Sequence, residues 1–261
     1  MPSITSKTYY LRGLIKAAGL AKTADILFRR LLRAPGVVSV SVNGYRLQVR
    51  PSDSDLFVLS QIFGWEEYRF EAWRLSMLRE LAANWESTGI RPVIIDAGAN
   101  VGYSALYFAS LFPGVCVLAV EPDPTSFHIL ARHAQVNEQI KPIHAALWSH
   151  DRGLKLKTSN NSSWAAQVTE GAGTPSQRID HLLASIPNSR PLIIKLDIEG
   201  AEREVVASCP QVFAAARCIV VEPHDVMNPG AACLSPLYSV ASKRKFDTVV
   251  NGENLLLYAV D

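Results

Sequence analysis

The chain has 261 residues, a length suited to one large domain or two small ones. Its 26 basic and 24 acidic residues leave a net charge of +2, without the basic excess that marks a nucleic-acid binder. At 48% hydrophobic and 19% charged it is not a disordered chain, and a globular fold with a substantial core remains.

The first expected element is a helix over residues 5–33. Apolar residues recur there at helical spacing, and Arg29, Arg30 and Arg33 gather at its end, which suits the negative pole of the helix dipole. Such a basic helix has two readings: solvated arginines on a helix packed against the body, or contact with a membrane surface. The first is the simpler, because a surface helix needs one charged face. Asn43-Gly44 sits between two alternating runs and marks a hairpin, since both residues tolerate positive φ. Residues 55–87 read as helical, with Trp65, Trp73 and Trp85 packing on the core, or Trp65 lining the entrance of the site.

From residue 92 the pattern changes. RPVIIDAGAN, GVCVLAVEP, KPIHAAL, RPLIIKLDIEG and RCIVVEP are short apolar runs, with helical stretches at 102–112, 123–136, 179–185 and 201–208. Continuous apolar strands alternating with helices are strands buried on both faces of a parallel sheet. Residues 246–250 and 255–260 add an antiparallel hairpin at the C-terminal edge, while 158–175, rich in Ser, Asn, Gly and Thr, reads as a loop. Cys116 and Cys218 fall inside strands, and four cysteines without a C-x-x-C pair form neither a disulfide framework nor a zinc site. No apolar run is long enough for a signal peptide core or a spanning helix, so the expectation is a cytoplasmic protein without stable membrane insertion.

Ligands of an open parallel sheet bind beyond the carboxyl ends of its strands. The first strand ends in Asp96-Ala-Gly98-Ala-Asn100-Val-Gly102, a glycine-rich turn before a helix, where a ligand can approach the backbone and meet amide groups. The spacing is G-x-N-x-G and not the dinucleotide fingerprint. Glu121 ends the next strand, 25 positions after Asp96, placed to accept hydrogen bonds from two ribose hydroxyls. Loop and acid together point to a nucleoside cofactor without a pyrophosphate. Strand alternation puts Lys195, Asp197 and Glu199 on one side of a later strand's end, beside Glu222 and His224 of its neighbour. A structural salt-bridge cluster is the plain alternative; histidine's ordinary pKa of about 6.5 suits a general base.

These motifs resemble the FkbM family of S-adenosylmethionine-dependent methyltransferases. The resemblance rests on Ile95-Asp96-Ala97-Gly98-Ala99-Asn100-Val101-Gly102-Tyr103-Ser104, Val120-Glu121-Pro122, Lys195-Leu196-Asp197-Ile198-Glu199-Gly200-Ala201-Glu202 and Val221-Glu222-Pro223-His224. It extends upstream to Arg50-Pro51-Ser52-Asp53-Ser54-Asp55 and Glu67-Tyr68, and covers roughly residues 45–260. It implies a Rossmann-like class I methyltransferase sheet, mostly parallel, over 37–261, preceded by a helical extension over 1–36. It implies S-adenosylmethionine as cofactor, with Asp96 holding the loop or the ammonium and the amides after Gly98 meeting the carboxylate. Asn100, Gly102 and Asp197 complete this set, Glu121 chelates the ribose, and Ala145 and Ala146 wall the adenine.

The implied reaction is O-methylation of a small-molecule, sugar or glycan-precursor hydroxyl, catalysed mainly by near-attack positioning. His224, or a desolvated Asp197 or Glu199, takes the proton, and Lys195 stabilises the alkoxide or neutralises its carboxylate neighbours. Arg50, Ser54, Asp55, Tyr68 and Glu222 face the acceptor. Asp197, Glu222 and His224 could ligate a divalent metal; Lys195 already supplies positive charge there, which disfavours one. Two other functions remain at this stage: an inactive cofactor-binding partner protein, against which the intact cluster speaks, and an NAD-dependent oxidoreductase, against which the glycine spacing speaks.

Overall fold

The computed structural model describes residues 7–159, 162–171, 173–225 and 229–260. The expected N-terminal helix is two, α1 (Lys7–Ala18) and α2 (Leu20–Leu31), because Gly19 takes a left-handed φ of 78° that no intact helix contains. The hairpin predicted at Asn43-Gly44 follows as β1 (Val38–Val42) and β2 (Tyr45–Val49), paired antiparallel. The helix expected over 55–87 is also broken. A short α3 (Asp55–Leu59) runs into a π turn (Ser60–Gly64), and only α4 (Ala72–Ser87) is continuous. The break has a packing cause: Gly64 lies so close to α1 that a Cβ on it would stand 2.2 Å from the Gly13 carbonyl oxygen. Of the three tryptophans, Trp85 is buried and Trp65 stacks on Tyr9, but Trp73 is exposed rather than packed.

The α/β unit then runs β3 (Arg91–Ala97), α5 (Tyr103–Leu111), β4 (Cys116–Val120), α6 (Pro124–Ala134), β5 (Ile140–Ile143) and the short β6 (Ala146–Leu147). Asp123 caps α6, its carboxylate accepting from the Ser126 amide at 2.8 Å, with Pro124 at the first helical position. The expected loop at 158–175 is instead largely an antiparallel pair, β7 (Leu154–Ser159) and β8 (Ser162–Glu170), and the side chain of Trp164, which the sequence offers either for stacking on a sugar or for core packing, falls outside the described residues. The Leu154-Lys155-Leu156-Lys157 alternation is the strand signal that the polar composition hides. There follow β9 (Ser176–Gln177), α7 (Ile179–Ala184), β10 (Ser189–Leu196), α8 (Glu202–Ser208), α9 (Pro210–Ala215), β11 (Cys218–Val221), α10 (Ser235–Ala241), β12 (Phe246–Asn251) and β13 (Asn254–Ala259).

Among the described residues the central sheet has seven strands in the order β12-β13-β11-β10-β3-β4-β5. The strands from β5 to β11 pair in parallel, and β13 is antiparallel to both its neighbours. Both faces of the sheet are covered. Ile94, Val117 and Ala119 join an apolar cluster with α4, α5 and α6, while Val93, Ile95 and Leu118 join one with α7 to α10. Strand order reverses at β3, whose carboxyl end is therefore the crevice of the sheet.

Candidate active site

The loop after β3 is held from below. Asp96 is fully buried; its Oδ2 accepts from Ser104 Oγ at 2.6 Å and its Oδ1 lies 3.2 Å from Lys195 Nζ. Gly98 has φ 75°, and a Cβ there would come 1.7 Å from the Asp197 carbonyl oxygen, so only glycine lets the β3 and β10 loops touch. Asn100 follows with φ 49°, its side-chain oxygen buried without a hydrogen-bond partner. Gly102, with φ 89°, opens α5 where a Cβ would strike Leu130. Neither Asp96 nor Gly102 is among the residues that line the cavity; both shape the loop from beneath.

At the end of β4, Glu121 turns back over the loop. One oxygen accepts from the Asn100 amide and the other from the Asp123 amide, each at 2.8 Å. Burial pushes its carboxyl up to about 7, against the pull of these two amides.

The end of β10 carries the densest charge. Lys195 is buried, and its ammonium lies 2.7 Å from the Gly98 carbonyl, 3.2 Å from Asp96 and 3.3 Å from Asp197. Burial alone would lower its pKa, but Tyr68 and the two aspartates outweigh that and hold it well above its ordinary value. Of the two roles expected for this lysine, neutralising its neighbours is the one these contacts fit. The strand ends at Leu196, so alternation does not aim Glu199; a left-handed turn at Glu199 (φ 55°) does.

His224, after β11, is buried with Nδ1 2.8 Å from Glu202 Oε1. Its Nε2 faces Glu199 at 3.6 Å, and Asp197 and Glu222 at 3.8 Å. Burial opposes its charge, yet the Glu202 bond and the surrounding carboxylates raise it to about 9. The histidine expected as a base near its ordinary pKa is thus an imidazolium at neutrality, and it does not line the cavity. Glu199 does, with Oε2 buried and lacking a hydrogen-bond partner, and burial together with Asp197 pushes it up to about 7. Atoms of Asp197, Glu199 and His224 lie within 4.8 Å of one another, a spacing that also suits a metal ion.

These groups border a cavity of about 600 Å³ over the carboxyl ends of β3, β4 and β10. That volume is ordinary for a small-molecule site. Gly98, Asn100, Glu121, Lys195, Asp197, Glu199 and Glu222 line it, as do Ser54 and Tyr68, with Val120, Ala145, Ala146 and Leu147 as an apolar wall. Arg50 and Asp55, expected to face the acceptor, do not: they form a multidentate pair at 2.7–3.1 Å, with Arg50 reaching Thr125 and Ser126 on α6. A buried carboxylate needs such a partner, and this pair is used up in joining α3 to the sheet domain.

Sequence reasoning missed six polar wall residues, among them Gln61 of the π turn and Ser104 of α5. Tyr10 comes from α1, Glu67 from the loop before α4, and Glu253 and Asn254 from the turn into β13. They meet because Asn251 Nδ2 donates to the Glu67 carbonyl at 2.9 Å, docking the C-terminal hairpin on that loop. Glu67 lay within the Glu67-Tyr68 motif and Ser104 at the end of the glycine-loop motif, so these two carried a signal.

A parallel sheet reversing at β3, an inserted antiparallel strand, and a glycine loop facing an acid at the next strand end define a Rossmann-like class I methyltransferase. The chain belongs to the FkbM methyltransferase domain family, whose model matches residues 96–244. It is 37% identical to methyltransferase sdnD of Sordaria araneosa, over 50% of this chain and 66% of that protein. It is 25% identical to methyltransferase 1 of Beauveria bassiana, over 43% and 56%. With the 31-O-demethyl-FK506 methyltransferase FkbM of Streptomyces tacrolimicus it shares 26% identity over 52% and 68%. The chain thus spans between about half and two thirds of the curated relatives it matches.

Proposed function

We propose that the protein transfers a methyl group from S-adenosylmethionine to a hydroxyl of a small-molecule or carbohydrate acceptor. The observation that carries this reading is the junction of two sites in one cavity: a nucleoside cradle at β3 and β4, and carboxylates at the ends of β10 and β11. The orphaned Asn100 oxygen, on a residue that lines the cavity, fits a cofactor that carries donors. Glu121 would hold the ribose hydroxyls, Ala145, Ala146 and Leu147 the adenine, and the loop amides after Gly98 the carboxylate. Bound there, S-adenosylmethionine supplies an electrophilic methyl group on a sulfonium.

The remaining chemistry belongs to the protein. Glu199 accepts the acceptor's proton, its raised pKa giving a base of useful strength near neutrality. His224, charged and hydrogen-bonded to Glu202, orients Glu199 and Asp197 and is a positioning residue. Lys195 pins the glycine loop to β10 and offsets part of the charge of Asp96 and Asp197, which supplies some of the positive charge that a metal would otherwise bring. Glu67, Glu222, Glu253 and the orphaned Asn254 oxygen line the far wall; burial pushes Glu67 up to about 7 and Glu222 up to about 9, so this wall offers both donors and acceptors, which suits a hydroxyl-rich acceptor.

The experiment is labelled methyl transfer from S-adenosylmethionine to a panel of polyols, hydroxylated metabolites and amines, repeated after exhaustive chelation. Transfer to a hydroxyl, undiminished by the chelator, is expected. If Glu199→Gln and Asp197→Asn both keep normal turnover on the accepted substrate, the proton assignment is wrong; activity restored only by Mg²⁺ or Mn²⁺ would move His224, Glu199 and Asp197 to a metal site.

A further inference from the structure

The helix α2 presents three distinct faces. Thr23 and Ile26 are buried against the body, and Arg30 Nη1 fixes that side by donating to the Pro51 and Asp53 carbonyls at 3.0 and 2.9 Å. A second face carries Lys22, Asp25 and Arg29, with Asp25 paired to both cations. The third is apolar and open. At 3.6 residues per turn, positions 20, 24, 27, 28 and 31 fall on one side. There Leu20 is 71% exposed, Phe28 61% and Leu31 79%, with Leu32 just beyond the helix at 61%.

The surrounding charge is lopsided. Residues 7–33 hold seven basic side chains against one acidic, a net +6 in a chain whose total is +2. Two copies of this face would therefore bring like charges together, so the charge opposes a self-complementary dimer. A convex helix with protruding Leu and Phe, rimmed by Lys and Arg, matches a fluid apolar layer beneath an anionic surface. No helix among the described residues is long and apolar enough to cross a membrane, which limits the contact to the interface.

We propose that α2 docks the protein on the surface of an anionic phospholipid bilayer, with Leu20, Leu27, Phe28 and Leu31 entering the acyl boundary and the net positive charge of residues 7–33 drawing the helix to the anionic surface. Between the two readings the sequence left for this helix, the solvated one accounts for the arginines but not for an apolar stripe left in water on a helix already anchored by its opposite side.

Flotation of the full chain tests it, with phosphatidylcholine vesicles containing or lacking phosphatidylserine, at low and high salt. The expected result is flotation only with the phosphatidylserine vesicles, weakened by salt. Phe28→Ser with Leu31→Ser, and separately Arg29→Gln with Arg33→Gln, should each lower partition about tenfold or more, with unchanged thermal melts, because these side chains are at the surface. Failure of the wild type to float at low salt overturns the proposal, and then an acidic protein or a second copy covers the face. Sedimentation velocity identifies the second copy, as a dimer that Phe28→Ser with Leu31→Ser converts to monomer. Flotation that persists in the Phe28→Ser, Leu31→Ser variant also overturns it, since the helix would then not be the docking element.

Discussion

Lys195 and Glu199 sit four residues apart and do opposite things. Lys195 is enclosed by the Gly98 carbonyl, Asp96 and Asp197, so Lys195→Met leaves buried acceptors and a carboxylate uncompensated. Loss of one partner from a buried ion pair costs about 3–5 kcal/mol, and urea unfolding of Lys195→Met should show a loss of that order. Glu199 is held by no hydrogen bond at Oε2, so Glu199→Gln should leave the fold intact. A general base contributes about 10²–10⁴-fold to rate. Single-turnover methyl transfer should fall by that factor in Glu199→Gln while S-adenosylhomocysteine affinity stays within about threefold. His224 is the instructive case. Its place at the strand end could be read in the sequence, but its charge could not, because the carboxylates of Glu202, Asp197 and Glu199 set it once the fold brings them around the ring.

At the scale of elements, α1 and the π turn form one unit with the cavity wall. Tyr10 reaches the cavity from α1, and Gly13 and Gly64 touch backbone to backbone beneath it. Gly64→Ala therefore forces α1 away from the turn. Overpacking costs about 1–3 kcal/mol, and the melting temperature should drop accordingly, with acceptor KM rising more than cofactor Kd. The parallel strands and the acids at their ends were legible because each is a local pattern: an apolar run stopped by a polar residue. The break at Gly19, the π turn, α9 and α10 were not, since each is fixed by packing against segments distant in sequence. The same reason hid Glu253 and Asn254, which reach the cavity only when the C-terminal hairpin docks on Glu67.

Across the whole molecule, buried carboxyls make stability fall as pH rises. Burial, reinforced by Glu253, pushes Glu67 up to about 7, and burial pushes Glu121 to about 7, from an ordinary 4.5. The folded state therefore binds more protons than the unfolded chain across this window, and stability present below about 4.5 is lost as pH climbs through about 7. The loss is on the order of 3 kcal/mol per carboxyl, and Glu67→Gln should flatten the pH profile of urea unfolding. Calorimetric titration of S-adenosylhomocysteine tests whether the β3 and β4 ends hold S-adenosylmethionine, without knowledge of the acceptor. Binding to the wild type is predicted, with Glu121→Ala weakening it about 10- to 100-fold, the weight of a hydrogen bond to a charged group, while circular dichroism stays native. No binding, or binding indifferent to Glu121→Ala, would contradict the account.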